Sequence, residues 1–111
     1  MTDKIVVFTT CGSAGEAARI ARALVESRLA ACVAVTPKVR SVYHWRGALE
    51  ESTEWALTIK TRRDLFAPLS EQIRRLHSYE TPELLALPVV DGSADYLRWM
   101  DESLEPVAGG A

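Results

Sequence analysis

Hydrophobic positions in the first part of the chain follow the periods of a strand and then of a helix. Residues 5–10 form an apolar, β-rich run that predicts a strand buried on both faces. Ser13 stands three residues before Glu16, which is the capping-box spacing of a helix start. Apolar residues then recur at helical spacing. We therefore predict a helix from about Gly15 to Leu29.

The middle of the chain predicts an unusually long β-hairpin. A second apolar run at residues 31–35 is stopped or bent at Pro37, and the residues that follow alternate with period two. Gly47–Ala48 is the expected turn, after which residues 49–60 alternate again. Ten residues of strand reach about 33 Å, so a small domain cannot cover both faces of such an arm. Because its edges also offer unpaired backbone groups, we expect another subunit to cover it.

The last part of the chain predicts a helix, a strand and a second helix. Asp64 is the expected cap of a helix that ends by His77, and Pro68 fits only near its first turn. The fourth strand spans residues 84–90, where Pro88 indicates an edge or a bulge. Ser93 is the expected cap of a short last helix. We predict a core of about residues 5–103 and a tail at 104–111.

This order of elements predicts an α+β fold of the ferredoxin-like, split βαβ type. Right-handed crossovers place both main helices on one face of a four-stranded antiparallel sheet. The other face of the sheet keeps apolar character and requires a cover, which is a second indication of an oligomer. Residues 1–111 form a single domain in this interpretation.

Composition excludes several classes of protein. The chain is 48% hydrophobic and 25% charged, which is the balance of a globular protein and excludes a disordered one. A net charge of -2 lacks the basic footprint of a nucleic-acid binder. No apolar run approaches the roughly 20 residues of a membrane span, and the first residues do not resemble a signal peptide. We expect a cytoplasmic protein without nucleic-acid or membrane partners.

The densest cluster of reactive side chains lies at residues 77–83, between a helix end and a strand start. His77 can bind a metal through its neutral ring, and Glu80 is close enough in sequence to be a fellow ligand or an acceptor for the other ring nitrogen. The alternative is structural. His77 would then complement the dipole of the preceding helix, and Tyr79 would be a packed anchor.

The two cysteines are too far apart in sequence for a metal ribbon or a redox pair. Cys11 ends the first strand beside a helix N-terminus, where the helix dipole favours a thiolate. The same geometry suits an anion at the backbone N–H groups of residues 12–15. Cys32 lies in an apolar run and is expected to be a small buried residue.

Serine, histidine and aspartate occur without the nucleophile elbow of a hydrolase. We therefore predict no enzymatic activity. The alternative is an enzyme that uses His77 and Glu80 as acid and base. Two histidines are too few to complete a metal site within one chain unless cysteine or carboxylate ligands contribute. A cleft between subunits can instead take ligands from two chains.

Several motifs in order closely resemble the CutA family of divalent-cation tolerance proteins. They are LAACV at 29–33, SVYHWRG at 41–47, IKT at 59–61, HSYETPEL at 77–84, and Gly92 followed by YLRW at 96–99. The resemblance covers residues 5 to about 103. It implies a ferredoxin-like homotrimer similar to the PII signalling proteins, with paired hairpins, a link to copper and other divalent cations, and no established catalysis. The family's shared polar positions, which are thought to line clefts between subunits, fall on Lys60, His77, Tyr79, Glu80 and Tyr96, with Trp45 nearby.

This sequence departs from the family pattern around the loop histidine. Ser78 stands where the family usually has proline, so we expect a less rigid loop. Thr9 and Leu76 stand where some members carry cysteine and histidine, so a copper site copied from those members does not transfer directly.

Two functional hypotheses follow. In the first, a trimer without a tightly bound cofactor binds copper or another divalent ion weakly through His77, aided by Glu80 or Cys11. In the second, a PII-like sensor binds a small anionic ligand between subunits. Its predicted cleft consists of Lys60, Tyr79, Tyr96 and Trp45, in which Lys60 supplies the charge and Trp45 the lid.

Overall fold

The computed structural model describes residues 1–107, and its elements follow the predicted order. They are β1 (Lys4–Cys11), α1 (Ala14–Glu26), β2 (Cys32–Trp45), β3 (Ala48–Arg62), a 3-10 turn (Arg63–Leu65), α2 (Phe66–Leu76), β4 (Leu85–Pro88) and α3 (Ala94–Ser103). The four strands form one antiparallel sheet in the order β2-β3-β1-β4, which confirms the ferredoxin-like fold. Within the described range, none of the helices is long and apolar enough to cross a membrane.

The main core lies between one face of the sheet and helices α1 and α2. Its fully buried residues are Val7, Cys11, Ala17, Ile20, Leu24, Ala30, Leu57, Ile59, Leu69 and Ile73. The alternate residues of β1, which include Val6 and Phe8, are only half-buried. The protomer by itself therefore buries this strand on one face only, because α1 and α2 both pack on the same side, and burial of the second face stays a prediction.

Helix α1 begins as predicted and ends three residues early. Ser13 is the N-cap, and its hydroxyl accepts the Glu16 N–H at 3.1 Å. Arg28 takes a left-handed φ of 61°, which stops the helix. The N–H groups of Leu29 and Ala30 then both donate to the Leu24 carbonyl oxygen.

The long arm is confirmed, and it gives the protomer extents of 50 × 26 × 22 Å. Pro37 bends β2 without ending it. The pairing shifts between Thr36 and Val39, where Lys38 has a φ of 59°, and this is a β-bulge. The turn is Arg46–Gly47 and not Gly47–Ala48. Both residues have positive φ, 52° and 82°, as a two-residue type I′ hairpin requires.

Helix α2 lacks the cap that the sequence predicts. Its N-cap is Leu65, whose apolar side chain cannot accept a hydrogen bond. Asp64 instead accepts from the Nε of buried Arg62 at 2.6 Å. Pro68 lies in the first turn, as expected. Strand β4 is shorter than predicted and lies at the sheet edge, as Pro88 indicated.

The predicted tail begins too early. Leu104 is 3% exposed and packs in a second small core cluster with Ala31, Leu65 and Met100. The Glu105 N–H donates to the Arg28 carbonyl at 3.0 Å. Residues 108–111 of the predicted tail lie outside the described residues.

The sheet face opposite α1 and α2 stays largely open in the protomer. Register places Leu85 beside Phe8 and Leu87 beside Val6. Leu85 and Leu87 are 61% and 54% exposed. We call these four residues the open-face patch. Contiguous apolar surface of this kind is typical of a contact with another protein.

A buried hydroxyl makes Thr9 a destabilising residue in the core. Thr9 is 1% exposed, and its Oγ1 has no hydrogen-bond partner among residues 1–107. A buried hydroxyl without a partner costs roughly 1–3 kcal/mol, and valine has nearly the same shape. We expect Thr9→Val to raise the free energy of unfolding in urea by about 1 kcal/mol. The half-buried Thr58 on the opposite face provides the control, because Thr58→Val should change stability by less than about 0.5 kcal/mol. An unchanged or lower stability of Thr9→Val would contradict this assignment.

Candidate functional site

Three side chains of metal-ligand type meet where β1, α1 and the loop after α2 come together. A Cys11 sulfur, a Glu16 carboxylate oxygen and a His77 ring nitrogen all lie within 4.8 Å of one another. Cys11 ends β1, Glu16 lies in the first turn of α1, and His77 is the C-cap of α2. The sequence singled out Cys11 and His77, whereas Glu16 stood out only as a helix-capping residue. We call this group the Cys11–Glu16–His77 cluster.

Glu16 is a buried carboxylate that joins the helix start to the loop. Its Oε2 accepts the Ser78 N–H at 2.7 Å, and its Oε1 accepts the Gly12 N–H at 3.3 Å. Burial opposes its ionisation, but the hydrogen bonds from Ser78 and Gly12 outweigh burial. The pKa of Glu16 therefore lies below its ordinary value. Proline at position 78 could not donate this bond, so Ser78 fastens the loop instead of loosening it as predicted.

Both ring nitrogens of His77 are hydrogen-bonded. Nε2 donates to the Thr10 carbonyl oxygen at 2.7 Å, and Nδ1 accepts the Tyr79 N–H at 3.1 Å. These partners define a neutral ring with its proton on Nε2. A metal ion bound to the ring must therefore displace one of these two hydrogen bonds.

Cys11 is a protonated thiol, and the predicted thiolate is wrong. The side chain is fully buried. Burial, followed by the negative charges of Glu16 and Glu54, raises the pKa of Cys11 to about 12. These effects outweigh the dipole of α1, on which the sequence argument rested. A metal that uses this sulfur must expel its proton.

Glu80 lies apart from the Cys11–Glu16–His77 cluster. Its carboxylate accepts a hydrogen bond from Arg46 Nη2 at 2.7 Å, and both side chains are exposed. In the protomer, Glu16 and not Glu80 completes the ligand group with His77. The geometry likewise gives no support to an acid–base pair of His77 and Glu80.

Tyr79 and Glu54 connect the cluster to the arm. The Tyr79 hydroxyl donates to Glu54 Oε2 at 2.6 Å, and Glu54 is 4% exposed. Burial and the bond to Glu54 raise the pKa of Tyr79 above its ordinary value. Gly12 lies against Tyr79, since a Cβ at Gly12 would come within 3.1 Å of the hydroxyl oxygen. Sequence reasoning missed Glu54 because it stands among the alternate polar positions of β3, which include exposed residues such as Glu50.

A groove of about 760 Å³ lies between the arm and the loop after α2. Aromatic side chains from Tyr43, Trp45 and Tyr79 line it. Its charged lining among the described residues consists of Glu54, Glu80, Glu83 and Arg46. Three carboxylates against one guanidinium give the groove a negative lining. We call it the arm groove.

The four residues of the predicted ligand cleft occupy two places in the protomer. Trp45 and Tyr79 line the arm groove. Lys60 lies six residues further along β3 from Glu54, and its Nζ is 3.3 Å from the hydroxyl of Tyr96 on α3. A single cleft that contains all four would need neighbouring subunits, and it stays a prediction.

Sequence comparison identifies close relatives over nearly the whole chain. The family model described as CutA1 divalent ion tolerance protein matches residues 5–103. Protein CutA of Mus musculus is 45% identical over 101 residues, which are 91% of this chain and 57% of the mouse protein. The chain thus spans little more than half the length of that relative. The divalent-cation tolerance protein CutA of Thermus thermophilus is 44% identical over 98 residues, which cover 88% of this chain and 95% of that protein.

Solved structures show the same fold. The Thermus thermophilus divalent cation tolerance protein superposes with a TM-score of 0.90 at 42% identity, covering 92% of this chain and 99% of that one. The CutA of Archaeoglobus fulgidus, described as periplasmic, superposes with a TM-score of 0.89 at 39% identity, with the same coverage of both chains. The fold and its residue pattern are therefore shared over nearly the whole of the described range.

Proposed function

Because the chain belongs to the CutA1 family of divalent ion tolerance proteins, we propose that it binds a divalent metal ion weakly, copper(II) before others, through the Cys11–Glu16–His77 cluster. The observation that supports this is the placement of three ligand atoms within 4.8 Å of one another on three separate elements. Imidazole and thiolate ligands suit copper, and copper(II) has the highest affinity of the divalent first-row ions for a given N/O/S site.

The internal hydrogen bonds of the cluster explain why the binding would be weak. A metal competes with the Ser78 N–H for Glu16 and with a backbone partner for His77. It must also deprotonate Cys11, whose pKa is about 12. Since proton release accompanies binding, affinity increases with pH. Such a site fills only when the metal is abundant, which fits a role in the response to excess metal ion.

Titration calorimetry with copper(II) tests this proposal. We expect His77→Ala to lower the affinity by roughly tenfold or more. Cys11→Ser should lower it less at neutral pH and flatten its rise with pH, because no thiol proton is then released. Glu80→Gln is the matched control and should bind like the parent. Equal affinity of His77→Ala and the parent would remove His77 from the ligand set.

We further propose that the protein assembles as a homotrimer. The open-face patch and the arm support this proposal. On the arm, Val42 and Leu49 are 61% and 66% exposed, and Trp45 is 41% exposed. A lone protomer leaves these apolar side chains in water, whereas neighbouring copies would bury them. We also propose a cytoplasmic location, and the term periplasmic applies to the Archaeoglobus fulgidus relative.

A group of three residues favours the second candidate function, binding of a small anionic ligand. Lys60 Nζ lies 5.4 Å from the centre of the Tyr96 ring, and the Tyr96 and Trp99 rings are in tilted contact with their centres 5.2 Å apart. This places a cation and two aromatic rings together near the C-terminal end of β3. Thermal stabilisation by nucleotides without metal would favour this candidate. Stabilisation by metal alone would favour the Cys11–Glu16–His77 cluster.

A further inference from the structure

We propose that the arm groove binds an organic cation, an ammonium or guanidinium group carried on an apolar body. This site goes beyond the proposed metal function, since none of the groove residues in this argument belongs to the Cys11–Glu16–His77 cluster. The groove volume of about 760 Å³ falls in the range of small-molecule sites and is much larger than a metal ion needs.

The charge of the groove selects a cation. Glu54 supplies a buried carboxylate, 4% exposed, among the groove-lining residues. Its Oε2 accepts from the Tyr79 hydroxyl, which leaves Oε1 for a ligand. Glu80 and Glu83 add negative charge, against the single guanidinium of Arg46. An anion would meet repulsion here, whereas a cation gains a partly desolvated counter-charge.

The aromatic lining suits the same ligand. Rings of Tyr43, Trp45 and Tyr79 surround the groove, and ring faces attract ammonium and guanidinium groups. Arg46 already shows this chemistry within the chain. Its guanidinium lies 5.5 Å from the centre of the Trp45 ring and 2.7 Å from the Glu80 carboxylate. A ligand cation would have the same two kinds of partner deeper in the groove, the Glu54 carboxylate and the rings of Tyr43 and Tyr79.

Calorimetry with three probes of similar size and different charge tests the proposal. We expect phenethylamine to bind, and phenethyl alcohol and phenylacetate to bind roughly tenfold more weakly or not at all. Glu54→Gln keeps an oxygen for the Tyr79 hydroxyl and removes the charge, so it should weaken phenethylamine roughly tenfold. Glu51→Gln is the matched control, because Glu51 is an exposed β3 residue paired with Arg40.

A second variant covers the case in which Glu54→Gln fails to fold. Trp45 lies near the tip of the arm, outside the core of the protomer, so Trp45→Leu should leave the protomer fold intact and still weaken phenethylamine. Sedimentation of the variant checks that it keeps the assembly of the parent. Equal affinity for phenethylamine and phenylacetate would overturn the proposal. Phenethylamine binding that neither Glu54→Gln nor Trp45→Leu changes would also overturn it. The same holds if the assembled protein binds no amine because a neighbouring copy fills the groove.

Discussion

Leu87→Glu is expected to convert the proposed trimer into single protomers. Leu87 lies in the open-face patch beside Val6 and is 54% exposed in the protomer. In a trimer that buries this patch, each copy would place a carboxylate in an apolar interface without a partner. Removal of an unpaired charge from water costs several kcal/mol, and the cost recurs at every copy. In sedimentation, the parent should move as three 12.2 kDa chains and the variant as one.

Val25→Glu controls for the effect of adding a charge at an exposed apolar residue. Val25 is 42% exposed on α1, on the opposite side of the sheet from the open-face patch. This variant should stay trimeric. A parent that sediments as a single protomer at micromolar concentration would refute the trimer. A trimeric Leu87→Glu variant would place the subunit interface away from the open-face patch.

The order and pairing of the elements could be predicted because local patterns and chain topology determine them. Period-two alternation identified the arm, and Pro88 identified the edge strand. Element ends were less predictable, since they depend on single backbone conformations. The left-handed Arg28 ends α1 early, and the bulge at Lys38 lets β2 continue beyond Pro37. Asp64 fails as a cap because Arg62 binds its carboxylate.

The candidate site was predictable by residue type but not by its internal contacts. Cys11 and His77 stood out because of their chemistry and their positions at element ends. The bond between Glu16 and Ser78 spans 62 positions in the sequence, so no local pattern could indicate it. The error on the Cys11 thiolate has the same origin. The helix dipole is a local effect, whereas the burial of Cys11 and the opposing charge of Glu54 arise only through the fold.

Glu16→Gln is expected to destabilise the protein at neutral pH and to have little effect in acid. The Glu16 carboxylate accepts two backbone hydrogen bonds, and each bond to a charged group is worth roughly 1.5–3 kcal/mol. A glutamine amide has one oxygen, so it would keep one of these bonds in weaker form and place an NH2 group against the other backbone N–H. We expect a loss of about 2 kcal/mol in the free energy of unfolding in urea at pH 7. Glu26→Gln on the exposed end of α1 is the control and should cost less than about 0.5 kcal/mol.

The pH dependence of this loss separates the charge of Glu16 from its shape. The pKa of Glu16 is lower in the folded protein than its ordinary value of 4.5, so the unfolded chain takes up the proton first as pH falls. The stability that the carboxylate contributes is therefore present above pH 4.5 and disappears as pH falls through the folded pKa. The gap between parent and Glu16→Gln should close over that interval. Ser78→Pro removes one donor to the same carboxylate, so its effect should be less than additive with Glu16→Gln. A gap that stays constant with pH, or full additivity, would show that the Glu16 charge does not hold the loop to α1.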